Sequence, residues 1–213
     1  MYLLTLIALT NMYEVEQKEE TGKERITGVL GSIGTFIYSF IETVVIALVI
    51  AVVLYLFIMT PHEVLGNSMH PTYKNGEYLM ANKLTYRFGE PQRGDVIIFQ
   101  YSETQDFIKR IIGIPGDTIM VKDGNVYING QQLDESDYLS DSVYTRGGDY
   151  LSEGETISIG EGEYFVLGDN RPHSSDSRTF GPISETKIKG KAWIVYLPIS
   201  DFRIVTHQDY GPL

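Results

Sequence analysis

Four histidines and no cysteine narrow the chemistry open to this 213-residue chain. Thiolate nucleophiles, Cys-based zinc or iron–sulfur centres and a disulfide framework are all excluded. Three blocks set reactive side chains among turn-forming residues. GNSMHPT (residues 66–72) presents Ser68, and DFIKRIIGIPGD (residues 106–117) sets Lys109 in an apolar, strand-like run. LGDNRPHSSDSRTFGP (residues 167–182) is dense in Gly, Asp, Asn and Ser. Taken singly, each block reads as an ordinary turn, strand or loop. A serine hydroxyl is a poor nucleophile until a base removes its proton, and that base is usually His. Sequence spacing neither assigns nor excludes His62, His70, His173 or His207, because triads assemble in space. A neutral lysine amine can serve instead if burial lowers its pKa from about 10.4, by up to about 3–5 when burial is complete. Phe107, Ile108 and Ile111 offer Lys109 such surroundings.

Short strands punctuated by turns must position these groups. Residues 95–100 (DVIIFQ) follow the Arg93-Gly94 turn signal. Thr118–Lys122 and Asn125–Ile128 flank Asp123-Gly124, a two-residue connection that favours a type I′ hairpin. Asn129-Gly130 supplies another turn, Glu163–Leu167 (EYFVL) a further strand, and residues 191–197 (KAWIVYL) close the series. Nothing after Met59 keeps a helical period. The expected fold is mainly β, an N-terminal transmembrane helix followed by a domain of coiled antiparallel sheets. Residues 131–160 are polar with little apolar alternation and read as an insertion or long loop.

From Thr43 to Pro61 there are 19 residues without a charge, and the apolar run extends back to Ile26 with Glu42 as its only charge. At 1.5 Å per residue, 19 residues span roughly 28 Å, close to the hydrocarbon thickness of a bilayer. A cleaved secretory signal would be shorter, nearer the start and closed by small residues, whereas residues 54–59 are bulky. The expected domains are a cytoplasmic tail at 1–34, a retained anchor at 35–60 and an extracytoplasmic catalytic domain at 61–213. Lys18, Lys23 and Arg25 precede the span and only Lys74 follows it closely, which places the N-terminus in the cytoplasm. Net charge is −11, which argues against a nucleic-acid-binding surface.

The three blocks, in this order behind an apolar anchor, resemble the bacterial type I signal peptidases, and the pattern is similar to members from Gram-positive bacteria. Those enzymes are membrane-bound serine endopeptidases that remove signal peptides from exported preproteins with a Ser/Lys dyad. The resemblance implies Ser68 as nucleophile and Lys109 as general base, in GNSMHPT and KRIIGIPGD. RGDVIIF (residues 93–99) matches the strand box between them. In GDNRPHSSDSRTFG it implies that Ser174 hydrogen-bonds and orients the lysine, that Asp176 and Arg178 form a salt bridge, and that Asp169 supports them. No metal or other cofactor is implied, and a monomer in the bilayer at the plasma membrane is expected. Some members carry a serine two positions before the nucleophile that helps to hold the oxyanion. Here that position is Gly66, so the oxyanion relies on the Ser68 N–H and a donor the sequence does not name.

A signal peptide held as an extended strand would lie between residues 63–68 and the strand leading to Lys109. Val64, Leu65, Met69, Phe107 and Ile108 would line pockets that admit Ala-sized residues at the first and third positions before the cut. Two other readings compete. A self-cleaving Ser/Lys repressor-type regulator shares the dyad, but such proteins are soluble and carry a DNA-binding domain. A non-enzymatic anchored β domain would require a lost dyad, yet both residues are present.

Overall fold

The computed structural model describes Gly28 and residues 31–55, 57–140 and 142–211. The expected tail, 1–34, lies outside these residues apart from Gly28 and residues 31–34. A helix, α1 (Gly31–Tyr55), is 25 residues long and apolar enough to cross a membrane. It begins earlier than the uncharged run and ends earlier than the expected anchor. Met59 and Thr60 belong to a strand instead, because their backbones pair with Asn82 and Ala81.

A separate compact unit runs from Leu54 onward. Its strands are β1 (Met59–Glu63), β2 (Tyr78–Asn82), β3 (Val96–Gln100), β4 (Asp106–Gly113), β5 (Thr118–Lys122) and β6 (Asn125–Ile128). They continue with β7 (Gln131–Gln132), β8 (Thr156–Ser158), β9 (Glu163–Leu167), β10 (Ile183–Ser184), β11 (Ile188–Leu197) and β12 (Arg203–Ile204). One sheet has the order β1-β2-β11-β3-β4-β9-β10, with β12 also on β11; the other runs β7-β6-β5-β8. Every pairing is antiparallel. Beyond α1 the described helices α2 (Thr85–Phe88) and α3 (Ser177–Phe180) are single turns. The mainly β expectation is met.

Local chemistry explains the pairing. Asp123 and Gly124 both take positive φ, at 50° and 83°, which the expected type I′ turn between β5 and β6 requires. β3 is buried on both faces. Its alternation sends Val96 and Ile98 into one apolar cluster and Ile97 and Phe99 into another. Register irregularities in β11 at Ala192–Ile194 and Val195–Leu197 bend it against β2, which lets the sheet curl.

Residues 131–160 are better ordered than their composition suggests. They contribute β7 and β8 and bury Leu133, Leu151 and Ile159 in the core over β5 and β6. Their polar groups are also partnered. Arg171, only 1% exposed, donates to Glu135 and, at 2.9 Å, to the Thr145 hydroxyl. These anchors, three separated apolar residues and one buried arginine, leave no alternating pattern in the sequence.

Breaking a buried ion pair from one side typically costs about 3 kcal/mol or more, because the partner charge is stranded. Arg171→Ala should therefore lower Tm by roughly 6–12 °C, at about 2–4 °C per kcal/mol for a chain of this size. Thermal unfolding followed by circular dichroism measures this, and a fall below about 2 °C would count against the anchoring role.

Candidate active site

β4 carries two adjacent cations, and its period-two geometry sends them to opposite faces. Lys109 shares a face with Phe107 and Ile111 and lies opposite Ile97 in the β3–β4 register. It is 3% exposed, and its Nζ sits 5.0 Å from the centre of the Phe107 ring. Nζ is 2.7 Å from Ser68 Oγ and donates to the Ile108 carbonyl at 3.0 Å. Burial lowers its pKa to about 8, against the opposing pull of Asp176 and Asp169. The structure therefore brings Ser68 and Lys109 into direct contact.

The turn bearing Ser68 is fixed on both sides. Gly66 has φ 91°, and its N–H donates to Asn75 Oδ1 at 2.7 Å. A side chain at position 66 would meet no neighbouring atom, so glycine serves the backbone conformation there and not a tight fit. After the serine, the His70 N–H closes on the Asn67 carbonyl at 3.1 Å. The loop after β9 docks on this turn. At Gly168 a Cβ would lie 2.5 Å from the Ser68 carbonyl oxygen and 2.2 Å from Ser174 Oγ. Only glycine allows the two segments to meet.

Arg110 points away from the dyad and is buried with Asp169 in a two-pronged pair at 3.0 and 2.8 Å. Asp169 also accepts from the Thr72 hydroxyl at 2.5 Å, which ties it to the serine-bearing segment. Asp176 and Arg178 pair in the same two-pronged way, both bonds 2.8 Å long. Asp176 further accepts from the Gly168 N–H and caps α3. Sequence reasoning missed Arg110, Gly168, Asn170 and Arg171; strand alternation beside Lys109 was the available signal for Arg110.

Ser174 departs from expectation. Its hydroxyl is buried without a hydrogen-bond partner, and Lys109 uses the Ile108 carbonyl as its second acceptor instead. The Ser174 side chain packs against Gly168, so it adjoins the site without making the expected bond.

A groove of about 310 Å³ opens over the dyad between residues 63–69 and 106–109. All five expected pocket residues line it, in unequal ways. Val64 and Met69, at 4% and 2% exposed, are core residues that show the groove only their edges. Phe107 and Ile108 are half-buried walls, and Leu65, 78% exposed, stands at the rim. Phe107 stacks on Tyr101 with ring centres 4.3 Å apart, which stiffens that wall.

Comparison with known proteins identifies the family. A family described as "Signal peptidase, peptidase S26" matches residues 37–197. Signal peptidase IB of Staphylococcus aureus (strain COL) is 36% identical over 178 residues, covering 78% of this chain and 93% of that protein. Signal peptidase I of Bacillus licheniformis is 36% identical over 172 residues, covering 78% and 92%. A crystal structure of a signal peptidase I from Enterococcus faecalis shares 36% identity, covers 48% of this chain and 97% of that one, and superposes with a TM-score of 0.40. A family match across most of the chain, together with relatives aligned over nearly their whole length, places this protein in the peptidase S26 family, the signal peptidases, serine endopeptidases that act on the signal peptides of preproteins.

Proposed function

We propose that Ser68 is the nucleophile and Lys109 the general base for cleavage of signal peptides after Ala-x-Ala-like sequences. The observation that carries this reading is the 2.7 Å contact between Ser68 Oγ and a desolvated lysine amine. Once neutral, Nζ accepts the hydroxyl proton as Oγ attacks the scissile carbonyl. The tetrahedral oxyanion takes the Ser68 N–H as a donor, and Lys109 returns the proton to the leaving amine. Water then hydrolyses the acyl-enzyme with Lys109 again as base. The Arg110–Asp169 and Arg178–Asp176 pairs support the site by holding the loop of Gly168 against the serine turn.

The substrate strand lies in the groove between residues 63–68 and the start of β4, with its side chains alternating between wall and solvent. Val64, Met69, Phe107 and Ile108 keep the pockets shallow and apolar, so that Ala-sized residues fit and larger ones clash. We further propose that α1 is a single-pass plasma-membrane anchor, with the N-terminus cytoplasmic and the catalytic domain, starting near residue 58, outside. The enzyme works as a monomer in the bilayer.

Ser68→Ala and Lys109→Ala should each lower kcat on an Ala-x-Ala peptide by at least about 10³-fold, because nucleophile and base act as a unit. Lys109→Arg should be equally inactive, since guanidinium keeps its proton. Near-normal turnover by any of the three would sink the assignment. The sign of the pH dependence follows from the base being needed neutral. kcat/KM should rise as pH passes upward through about 8 and level off on the alkaline side. A profile that stays flat down to about pH 5 contradicts a lysine base.

The anchor yields a separate test. Nine residue steps separate Met59 from Ser68, so the two can be at most roughly 32 Å apart. A signal peptide's cleavage site also emerges just beyond its apolar segment. Two partners held in one membrane meet at high effective concentration. A chain beginning at Ile58, which keeps β1 intact, should retain its kcat/KM on short peptides and lose most of it on membrane-embedded preproteins. Equal losses on both substrates would refute the proximity effect while leaving the dyad untouched.

A further inference from the structure

Asn170, in the loop after β9, meets the serine turn twice. Its backbone N–H donates to the Ser68 carbonyl at 3.0 Å, and its side-chain Nδ2 donates to the Asn67 carbonyl at 2.9 Å. The second bond falls on the carbonyl end of the Asn67–Ser68 peptide, which also receives the His70 N–H. That peptide is trans, and a planar trans amide points its C=O and N–H in opposite directions. Pinning the oxygen therefore fixes the direction of the Ser68 N–H. Among the described residues this N–H donates to no protein group.

We infer that Asn170 is a positioning residue that aims the Ser68 N–H at the developing oxyanion, acting through the Asn67–Ser68 peptide and without touching substrate. The inference rests on Ser68 being the nucleophile. Two hydrogen bonds into the carbonyl also polarise the amide and strengthen its N–H as a donor. Asn170 is rigid enough for the task because its neighbours are clamped. Asp169 is paired with buried Arg110, and Arg171 is held by Glu135, Thr145 and the Gly168 carbonyl. With glycine at position 66, no side-chain hydroxyl there can compensate for a misdirected backbone donor.

The chemistry at position 170 is specific. Aspartate has the shape of asparagine but sets a carboxylate oxygen against the Asn67 carbonyl, so it repels where the amide bonds. Alanine removes the bond and leaves the backbone N–H to Ser68 in place, which keeps the loop docked. The two variants separate aim from docking.

The test uses the full chain in detergent, an Ala-x-Ala peptide substrate and a matching peptide aldehyde, whose hemiacetal with Ser68 presents an oxyanion. Asn170→Ala should lower kcat by about 10–100-fold, less than or equal to the loss of a whole oxyanion donor, with KM changed by less than about twofold. Aldehyde affinity should fall by the same factor as kcat/KM, and Tm should stay close to wild type. Asn170→Asp should lose at least as much as the alanine variant, and it carries the test should alanine loosen the loop. An unchanged kcat, a rise in KM alone, or undiminished aldehyde affinity would each overturn the inference. Ser68→Ala, assayed in parallel, isolates its premise: if that variant still cleaves, the nucleophile assignment falls, whereas an inert Ser68→Ala beside a fully active Asn170→Ala refutes only the role of Asn170.

Discussion

Everything in this site depends on a lysine that is buried without a carboxylate partner. Desolvation lowers the Lys109 pKa to about 8, and holding an amine there costs roughly 3 kcal/mol relative to leaving it in water. Two carboxylates lie close enough to undo this, Asp169 and Asp176. Neither does, because each is already engaged by a two-pronged arginine, Arg110 and Arg178. The arginines thus do more than brace the loop. They also offset negative charge that would raise the Lys109 pKa further, which in the proposed mechanism would weaken it as a base.

Strand geometry makes this division of labour possible. Lys109 and Arg110 are neighbours in β4, yet alternation puts one in the apolar face with Ile97 and Phe107 and the other beside Asp169. A slip of one residue in the β3–β4 register would exchange them and destroy both functions. The two cations specify that register, because a slip would leave buried Asp169 without Arg110 and set a guanidinium in the apolar face. Gly168 completes the arrangement, since only a residue without Cβ lets the loop after β9 reach the Ser68 carbonyl.

Much of this was legible in the sequence. The Asp123-Gly124 hairpin, the strands β3, β5, β6 and β9, the long apolar helix and the Ser68–Lys109 pair all announced themselves through turn chemistry, alternation or block order. What stayed hidden was long-range and polar. Arg171 reaching back to Glu135 and Thr145 leaves no periodic trace, so β7, β8 and the buried residues Leu133, Leu151 and Ile159 were not legible within the stretch 131–160. The Ser174 hydroxyl illustrates the converse. A resemblance assigned it a bond to Lys109, and here it packs on Gly168 with no hydrogen-bond partner, while Lys109 donates to the Ile108 carbonyl. The expected anchor at 35–60 likewise overlaps β1 at Met59 and Thr60, whose backbone partners in β2 are distant in sequence.

In the proposed mechanism, specificity and base strength share the same atoms. Phe107 walls the groove and also lies 5.0 Å from Lys109 Nζ, and Ile108 both lines the groove and offers the carbonyl that Nζ bonds. An extended peptide in the groove covers these groups further, removes water from the lysine and favours its neutral form as the scissile bond arrives. Small residues next to the cut are then favoured for two linked reasons: they fit the shallow pockets, and they let the backbone approach closely enough to exclude solvent. Enlarging the pocket by trimming Phe107 would admit larger side chains but also hydrate Lys109, raising its pKa and weakening the base. On the proposed mechanism a broader substrate range and an effective lysine oppose one another, and a preference for small residues is the physical consequence of using a desolvated amine as the base.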